Sequence, residues 1–290
     1  MRPEMALRLE APAKLNLWLA VTGRRDDGMH LLATEMVLLE LADRLLLMPG
    51  ASGLRIEGEF GAMPPGPDNL AWRGLVAGMA TTPELACLAL DKRVPVAAGL
   101  GGGSSDAAAA WRLGRRWQGR SEAPDAEALV DLGRIGADVP FFAAQVAAAR
   151  VTGIGERVAA VALEATRHVV LAHPPFSLST AAVFGELQPE EWSGEGRPGV
   201  NDLLAPARRL RPELDEVFRL MAGAGGEPRL TGSGPTVYSL TDDPERAAAV
   251  AARLIRAGLR ATQTRIRSEP ASIEAVTPMD GPAARNEREA

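Results

Sequence analysis

The chain places glycines, which disfavour a helix, shortly before alanines, which favour it best. Residues 98–110 read AGLGGGSSDAAAA, so four glycines come just before two serines, an aspartate and four alanines. Glycine destabilises a helix interior by about 1 kcal/mol relative to alanine. We therefore predict a loop over residues 99–103 that leads into a helix over Ser104–Trp117.

A glycine loop before a helix is typical of an anion site. Glycines let backbone N–H groups approach a ligand closely, and the unpaired N–H groups and dipole of a helix N-terminus attract negative charge. Ser104 and Ser105 at the joint are candidates to cap the helix, bind phosphate or reach Mg²⁺, and Asp106 suits the helix dipole. The alternative is a flexible connector before an alanine-rich packing helix.

The spacing excludes two common phosphate loops. A dinucleotide fingerprint GxGxxG that starts at Gly99 requires glycine where Ser104 stands, and one that starts at Gly101 requires glycine where Asp106 stands. A Walker A loop requires a Gly-Lys pair, which the chain lacks. The motif alone therefore predicts an anion site without naming the ligand.

The rest of the chain mixes strands and helices without regular alternation, which predicts an α+β fold in two lobes that meet near residues 145–160. We find no internal repeat. The predicted strands cover 6–21 (broken at Pro12), 32–48, 85–94, 168–174 and the two arms of 229–240, with a hairpin tip at Asp27-Gly28. The predicted helices cover 68–79 (capped by Asp68), 104–117, 124–135, 180–187, parts of 201–223 and 243–258, and the last dozen residues are expected to be frayed.

Composition narrows the class of partner. The net charge of −5 argues against nucleic acid, and no apolar run is long enough for a membrane span. The single cysteine, Cys87, excludes an internal disulfide and is expected to be a small buried residue. We therefore expect a cytoplasmic protein, monomeric or homodimeric, that acts on a small molecule.

Lysine is rare in this chain. Of 32 basic residues only Lys14 and Lys92 are lysines, and the remainder are arginines. A compact ammonium and a planar guanidinium are not interchangeable in a site that needs a point charge. This makes Lys14 a candidate functional residue.

Four segments, in order along the chain, resemble one family. VPVAAGLGGGSSDAAAA (94–110) resembles the phosphate loop of the GHMP kinases, which include galactokinase, homoserine, mevalonate and phosphomevalonate kinases. PAKLNLWLAVTGRRDDGMH (12–30), IGADVPFF (135–142) and LTGSGPTVY (230–238) are similar to motifs of its 4-diphosphocytidyl-2-C-methyl-D-erythritol kinase family. The resemblance implies an N-terminal ATP-binding lobe over 1–155, like the second domain of ribosomal protein S5, and a ferredoxin-like lobe over 156–290.

The resemblance also implies a reaction. ATP with Mg²⁺ would phosphorylate the 2-hydroxyl of 4-diphosphocytidyl-2-C-methyl-D-erythritol, an isoprenoid precursor. Asp138 would accept the hydroxyl proton and Lys14 would stabilise charge, although Asp138 in an Asx turn is the alternative. Mg²⁺ would meet Ser105, with Ser104 as the other candidate. The implied ATP-binding residues are Asn69, Pro95, Gly99, Leu100, Gly101, Gly102, Gly103, Ser104, Ser105 and Asp106.

The implied alcohol site lies elsewhere in the chain. His30 would read the cytosine edge and Phe184 would cover the ring, with Thr180 one helical turn before it. Met29 stands where the family usually has tyrosine, so aromatic stacking by that residue is lost. A structural histidine, a helix cap at Asp68-Asn69 and a plain hairpin at Gly232–Gly234 are the alternatives. The implied substrate-binding residues are Asn16, Met29, His30, Thr180, Phe184, Gly232 and Ser233.

Two other functions are open at this point. One is a GHMP kinase for another alcohol, such as a mevalonate-like substrate, against which His30 and Phe184 argue. The other is a non-catalytic nucleotide-binding relative, which the presence of both Lys14 and Asp138 disfavours.

Overall fold

Two β-sheets with helices on their outer faces make up the structure. It is a computed structural model that describes residues 5–60, 63, 66–83, 85–163 and 167–277. The predicted frayed dozen residues lie outside this range. The strands are β1 (Ala6–Arg24), β2 (His30–Pro49), β3 (Gly53–Glu57), β4 (Ala86–Asp91), β5 (Ala148–Gly153), β6 (Arg157–Ala160), β7 (His168–His173), β8 (Arg229–Leu230), β9 (Val237–Thr241), β10 (Arg260–Arg265) and β11 (Glu274–Val276).

The helices flank these sheets, and the predicted α+β fold is confirmed. A single 3₁₀ turn is also present in the described part, at Pro189–Glu191. The helices are α1 (Leu70–Met79), α2 (Gly102–Trp117), α3 (Ala126–Gly133), α4 (Val139–Ala143), α5 (Thr180–Glu186), α6 (Leu204–Leu210), α7 (Leu214–Gly223) and α8 (Pro244–Arg256). None of them is long and apolar enough to cross a bilayer.

The long hairpin β1–β2 organises the first sheet, whose order is β11-β1-β2-β4-β3. The first part of β2 also pairs with β5, and its last part pairs with β4. The predicted turn at Asp27-Gly28 joins the two long strands, with Gly28 at φ +89°. The second sheet has the order β10-β7-β9-β8. Strands β6 and β11 come after residue 155 in the chain but belong to the first sheet. The predicted domain boundary at residue 155 stays a prediction.

The prediction that Pro12 breaks the first strand is wrong. Strand β1 runs through Pro12, and the pairing with β2 shifts register between Pro12 and Lys14. Proline has no N–H for the ladder, and a bulge accommodates it without ending the strand. The backbone N–H of Lys14 instead donates to Leu100 O at 3.0 Å, so the bulge ties β1 to the glycine loop.

Two helix starts differ from the prediction. Asn69, not Asp68, caps α1, because its side chain accepts the Ala71 N–H at 3.0 Å. Helix α2 begins at Gly102 after Gly101 in the left-handed conformation. Ser104 and Ser105 therefore lie inside the first turn and make no side-chain cap. Glycine at the Ncap position leaves the first N–H groups of α2 free of side-chain partners.

The two lobes share a core. Leu15, Val37 and Leu39 of the first sheet pack with Leu171 and Tyr238 of the second. Strand β1 also donates from Leu19 N to Val200 O at 2.9 Å, which links it to the segment before α6. Tyr238 is 1% exposed. Cys87 is buried, as predicted.

Helices α1 and α2 touch backbone to backbone. A Cβ on Gly74 would lie 2.1 Å from Ala107 O, and one on Gly78 would lie 2.2 Å from Trp111 O. The alanines of the opening motif, Ala107–Ala110, are all buried. The small side chains on both helices thus bring α2 close to its neighbour and limit how the glycine loop before it can move.

We predict that Gly74→Ala destabilises the protein severely. The added methyl meets a backbone oxygen that no rotamer change can move, so the loss of unfolding free energy should reach about 3 kcal/mol or more. Urea denaturation measures it. Gly223→Ala at the end of α7 is the matched control, because a Cβ there meets nothing within 4 Å. Similar losses in the two variants would contradict the close helix contact.

Candidate active site

A cavity of about 690 Å³ opens beside the glycine loop. It is bounded by β1, the starts of α1, α2, α4 and α5, and the turn after β8. Most of the predicted site residues line it, from all four resembling segments or the elements beside them. Those lining residues are Lys14, Asn16, Asn69, Pro95, Gly99, Gly101, Gly102, Gly103, Ser104, Asp106, Asp138, Thr180, Phe184, Gly232 and Ser233.

The glycine loop is shaped by contacts that exclude side chains. Gly99 and Gly101 have φ of +75° and +69°, a region that L side chains rarely adopt. A Cβ on Gly99 would lie 2.5 Å from Thr231 O, and one on Gly101 would lie 2.9 Å from the Phe142 ring. The loop therefore delivers the N-terminus of the 16-residue helix α2 to the cavity wall. Free N–H groups and the helix dipole make this wall an anion site.

Lys14 and Asp138 meet at the cavity. Lys14 Nζ lies 3.4 Å from Asp138 Oδ2 and donates to Asn16 Oδ1 at 2.6 Å. Lys14 is buried, whereas the Asp138 side chain is 28% exposed and open to a ligand. Asp138 precedes α4 but makes no side-chain cap hydrogen bond, so the Asx-turn alternative is not observed.

Asn16 is held by a network of its own. Its Nδ2 donates to Thr34 Oγ1 at 2.9 Å, and its backbone carbonyl accepts the Tyr238 hydroxyl at 2.9 Å. Burial raises the pKa of Tyr238 to about 12, so the phenol stays a donor. A Cβ on Gly232 would lie 3.3 Å from Lys14 Nζ, which places the turn after β8 against the Lys14–Asp138 pair. Asn201 Nδ2 anchors that turn by donating to Gly232 O at 2.8 Å.

An aromatic cluster adjoins the α5 end of the cavity, where Phe184 belongs to the lining and the predicted residues His30 and Met29 do not. The His30 ring stacks on Phe184 with centroids 5.3 Å apart, and Trp192 meets His30 edge-on at 5.8 Å. Burial, with the charge of Arg24, lowers the pKa of His30, which favours the neutral imidazole. Thr180 and Ser233 join α5 to the turn after β8 through hydroxyls 2.9 Å apart.

Comparison with known proteins assigns the chain to one family. The family model for the GHMP kinases N terminal domain matches residues 69–145, and that for GHMP kinases C terminal matches residues 183–260. A 4-diphosphocytidyl-2-C-methyl-D-erythritol kinase of Dinoroseobacter shibae is 38% identical over 84% of this chain and 88% of its own length. The chain belongs to the 4-diphosphocytidyl-2-C-methyl-D-erythritol kinase family.

Further relatives agree with this assignment. The enzymes of that name from Granulibacter bethesdensis and Thermus thermophilus are 40% and 38% identical, over 85% and 87% of this chain and 89% and 93% of their own lengths. A crystal structure of 4-(cytidine 5'-diphospho)-2C-methyl-D-erythritol kinase aligns with a TM-score of 0.73 at 34% identity, covering 89% of this chain and 98% of the other. The chain is thus a small-molecule kinase with the GHMP fold, as the sequence predicts.

The two loop serines of this kinase differ in position. Ser104 lines the cavity, whereas Ser105 is 1% exposed and does not belong to the described lining. The Ser105 hydroxyl has no hydrogen-bond partner among the described residues. The structure therefore favours Ser104 over the predicted Ser105 as the serine that faces a ligand. Leu100, also predicted in the loop, is buried in the core between the lobes.

Asp43, Lys92 and Asp106 form a buried ion cluster beneath the glycine loop. The sequence did not predict the pairing of Asp43 with Lys92. Lys92 Nζ donates to Asp43 and lies 2.8 Å from Asp106 Oδ2, with all three residues at most 1% exposed. Asp43 Oδ1 also accepts the Arg93 and Val94 N–H groups at 2.6 and 2.7 Å. The cluster thus ties β2, the end of β4 and α2 together.

The charges of this cluster are tightly coupled. Burial alone would lower the pKa of Lys92, but the Asp106 and Asp43 carboxylates hold it above its usual value. Burial raises the pKa of Asp106 well above its usual range, and the nearby Asp43 carboxylate adds to the effect. The scarcity of lysine in the sequence was the signal that could have identified Lys92 as part of a functional cluster. Both lysines of the chain line the cavity.

We predict that Lys92→Met destabilises this kinase by about 3–5 kcal/mol, because it leaves two buried carboxyls without a cation. Urea denaturation measures the loss. Arg93→Met is the control, because it removes a nearby ion pair, Arg93–Asp91, in which the arginine is exposed to solvent. Such a pair should contribute about 1 kcal/mol or less to the free energy of unfolding. A triple change of Lys92→Met, Asp43→Asn and Asp106→Asn should recover part of the loss. Equal effects of Lys92→Met and Arg93→Met would refute the cluster's role.

Proposed function

We propose that the protein transfers the γ-phosphate of ATP to the 2-hydroxyl of 4-diphosphocytidyl-2-C-methyl-D-erythritol. The observation that carries the proposal is the Lys14–Asp138 pair at 3.4 Å, in the same cavity as the free N-terminus of α2. A cation, an exposed carboxylate and an anion site are the groups that phosphoryl transfer to an alcohol requires.

ATP would bind along the wall made by α1, the glycine loop and α2. Backbone N–H groups at Gly102 and Gly103 would hold the phosphates, because glycine at these positions leaves the backbone accessible. The purine would lie toward Asn69, Leu70 and Pro95, which line the cavity beyond the loop. Leu70 and Pro95 offer apolar surface for a base.

Magnesium fits this wall without a protein cage. The described residues hold no cluster of three or more His, Cys, Asp or Glu side chains that would bind a metal. Mg²⁺ commonly keeps several waters and binds through substrate phosphates and one or two protein oxygens. The Ser104 hydroxyl, which lines the cavity, would hold the ion together with the ATP phosphates. When bound, Mg²⁺ supplies positive charge against the β- and γ-phosphate oxygens.

Asp138 would accept the proton of the attacking hydroxyl. Its side chain is the open member of the pair, while Lys14 is buried behind it. Lys14, held by Asn16 at 2.6 Å, would orient the carboxylate and stabilise the charge on the transferred group. Gly232 and Ser233 border the same space and would contact the diphosphate of the alcohol.

The cytidine end would lie toward α5, where Phe184 and Thr180 line the cavity and His30 stacks on Phe184. A neutral imidazole has one donor and one acceptor, which suits the mixed hydrogen-bonding edge of cytosine. Met29 is 49% exposed and adds no ring to this end.

We predict that purified protein consumes ATP with the cytidylylated alcohol and not with mevalonate. The aromatic end of the cavity has a function only for a substrate that carries a base. Coupled measurement of ADP release with each alcohol tests this. Turnover with mevalonate alone would overturn the proposed substrate while leaving the kinase fold intact.

We predict that Asp138→Asn lowers kcat by about 10²–10⁴-fold, the usual contribution of a general base. The amide keeps the shape but cannot accept the proton, so the dissociation constant for ATP should stay within about twofold. Steady-state kinetics and calorimetry measure the two quantities. Asp131→Asn on α3 is the control, because that side chain is 60% exposed and forms a surface ion pair with Arg134. An unchanged kcat would remove Asp138 from the base role.

A further inference from the structure

His30 sits where its own strand gives it little support. It is the first residue of β2, directly after the turn that joins β1 and β2. Its neighbour Met29 is 49% exposed and contributes no ring contact. The orientation of the imidazole therefore depends on side chains from outside the hairpin.

Two rings from the other lobe meet this imidazole. Phe184 of α5 stacks on it with an interplanar angle of 28°, and Trp192 stands nearly perpendicular to it at 86°. Stacked and edge-to-face pairs at 4.5–7 Å each contribute about 0.5–1.5 kcal/mol beyond their buried area. A stack and a perpendicular contact together restrict rotation of the His30 ring in two directions.

The 5.3 Å between His30 and Phe184 leaves no room for a base between them. Two stacking gaps of about 3.5 Å each would require about 7 Å between the outer rings. A base that keeps this stack therefore meets the edge of His30, and hydrogen bonding at that edge depends on how the ring is turned.

Trp192 is itself held in place. Its backbone N–H donates to Pro189 O at 3.2 Å at the end of the 3₁₀ turn. Glu191 beside it binds Arg209 through two hydrogen bonds, at 2.5 and 2.9 Å, and accepts the Gln188 N–H at 2.9 Å. The indole packs against the core of the second lobe.

The indole nitrogen does not account for this placement. Trp192 Nε1 is buried and has no hydrogen-bond partner among the described residues. An unpaired buried donor costs about 1–3 kcal/mol. The chain thus keeps an indole where its N–H is unfavourable, and this indole contacts the His30 ring edge-on.

We propose that Trp192 is a specificity-determining positioning residue, which holds the His30 ring at the angle at which its edge distinguishes cytosine from uracil. The inference rests on the proposed function, since it assigns the base end of the same substrate. Trp192 acts through His30 and takes no part in phosphoryl transfer. Its ring, not its N–H, carries the effect.

The experiment compares Trp192→Leu and Trp192→Phe with the unaltered protein. It measures kcat and KM for the cytidine- and uridine-diphosphate-linked alcohols, and calorimetric affinity for CDP and UDP as probes. Trp192→Leu should lower the preference for cytidine about tenfold, mainly through KM, with kcat and the KM for ATP unchanged. Trp192→Phe keeps a ring and should retain at least half of the preference on a logarithmic scale.

Trp117→Leu is the matched control. Trp117 ends α2, is half-buried against another core cluster and does not line the cavity. It should reduce stability without altering the ratio of cytidine to uridine substrate. A role in folding alone would make Trp192→Leu behave in the same way.

The outcomes separate the two proposals. An unchanged base preference in Trp192→Leu overturns the inference, as does a Trp192→Phe protein that is as unselective as the leucine variant. Absence of turnover of the cytidylylated alcohol by the unaltered protein overturns the proposed function instead. In that case the ratio of CDP to UDP affinity still decides the role of Trp192.

Discussion

The buried ion cluster of Asp43, Lys92 and Asp106 is the interaction on which the site depends. Each member comes from a different part of the first lobe. Lys92 Nζ lies only 2.9 Å from the position that a Cβ on Gly102 would occupy. A bare Cα at Gly102 is what allows the cation to lie under the helix start. Charge pairing thus fixes the helix at the point where its N-terminus meets the cavity. Removing water from three charged groups is costly, and mutual pairing offsets that cost.

Close backbone contacts extend this support to the Lys14–Asp138 pair. The glycine loop meets the turn after β8 at Gly99 and Thr231, and it meets β1 through the hydrogen bond from Lys14 N to Leu100 O. These contacts connect residues that are more than 80 positions apart in the chain. Lys14 and the N-terminus of α2 are therefore held by the same few backbone groups, with no intervening flexible side chain.

The sequence predicted the family and most of the helices, but it did not predict strands β3, β5, β6, β10 and β11 or the short helix α4. The change from a glycine run to an alanine run predicted α2. The four motifs predicted most of the site residues that line the cavity. What failed depended on tertiary context. Pro12 continues a strand because a bulge absorbs its missing N–H, and Asn69 replaces Asp68 as the cap by one residue. The ion cluster was missed because burial of Asp43 follows from packing that spacing cannot show, although rare lysine pointed toward Lys92.

Strand β11 shows a consequence for how the first lobe is completed. It pairs with residues 6–8 of β1, across more than 260 positions, and Glu274 binds Arg8 there. Contacts of such sequence separation form late because a long loop must close first. During synthesis on the ribosome, the β1 edge beside Ala6 therefore stays unpaired while the whole second lobe emerges. Strand β1, which carries Lys14, therefore first forms with an unpaired edge, and a segment synthesised after the second lobe pairs with it.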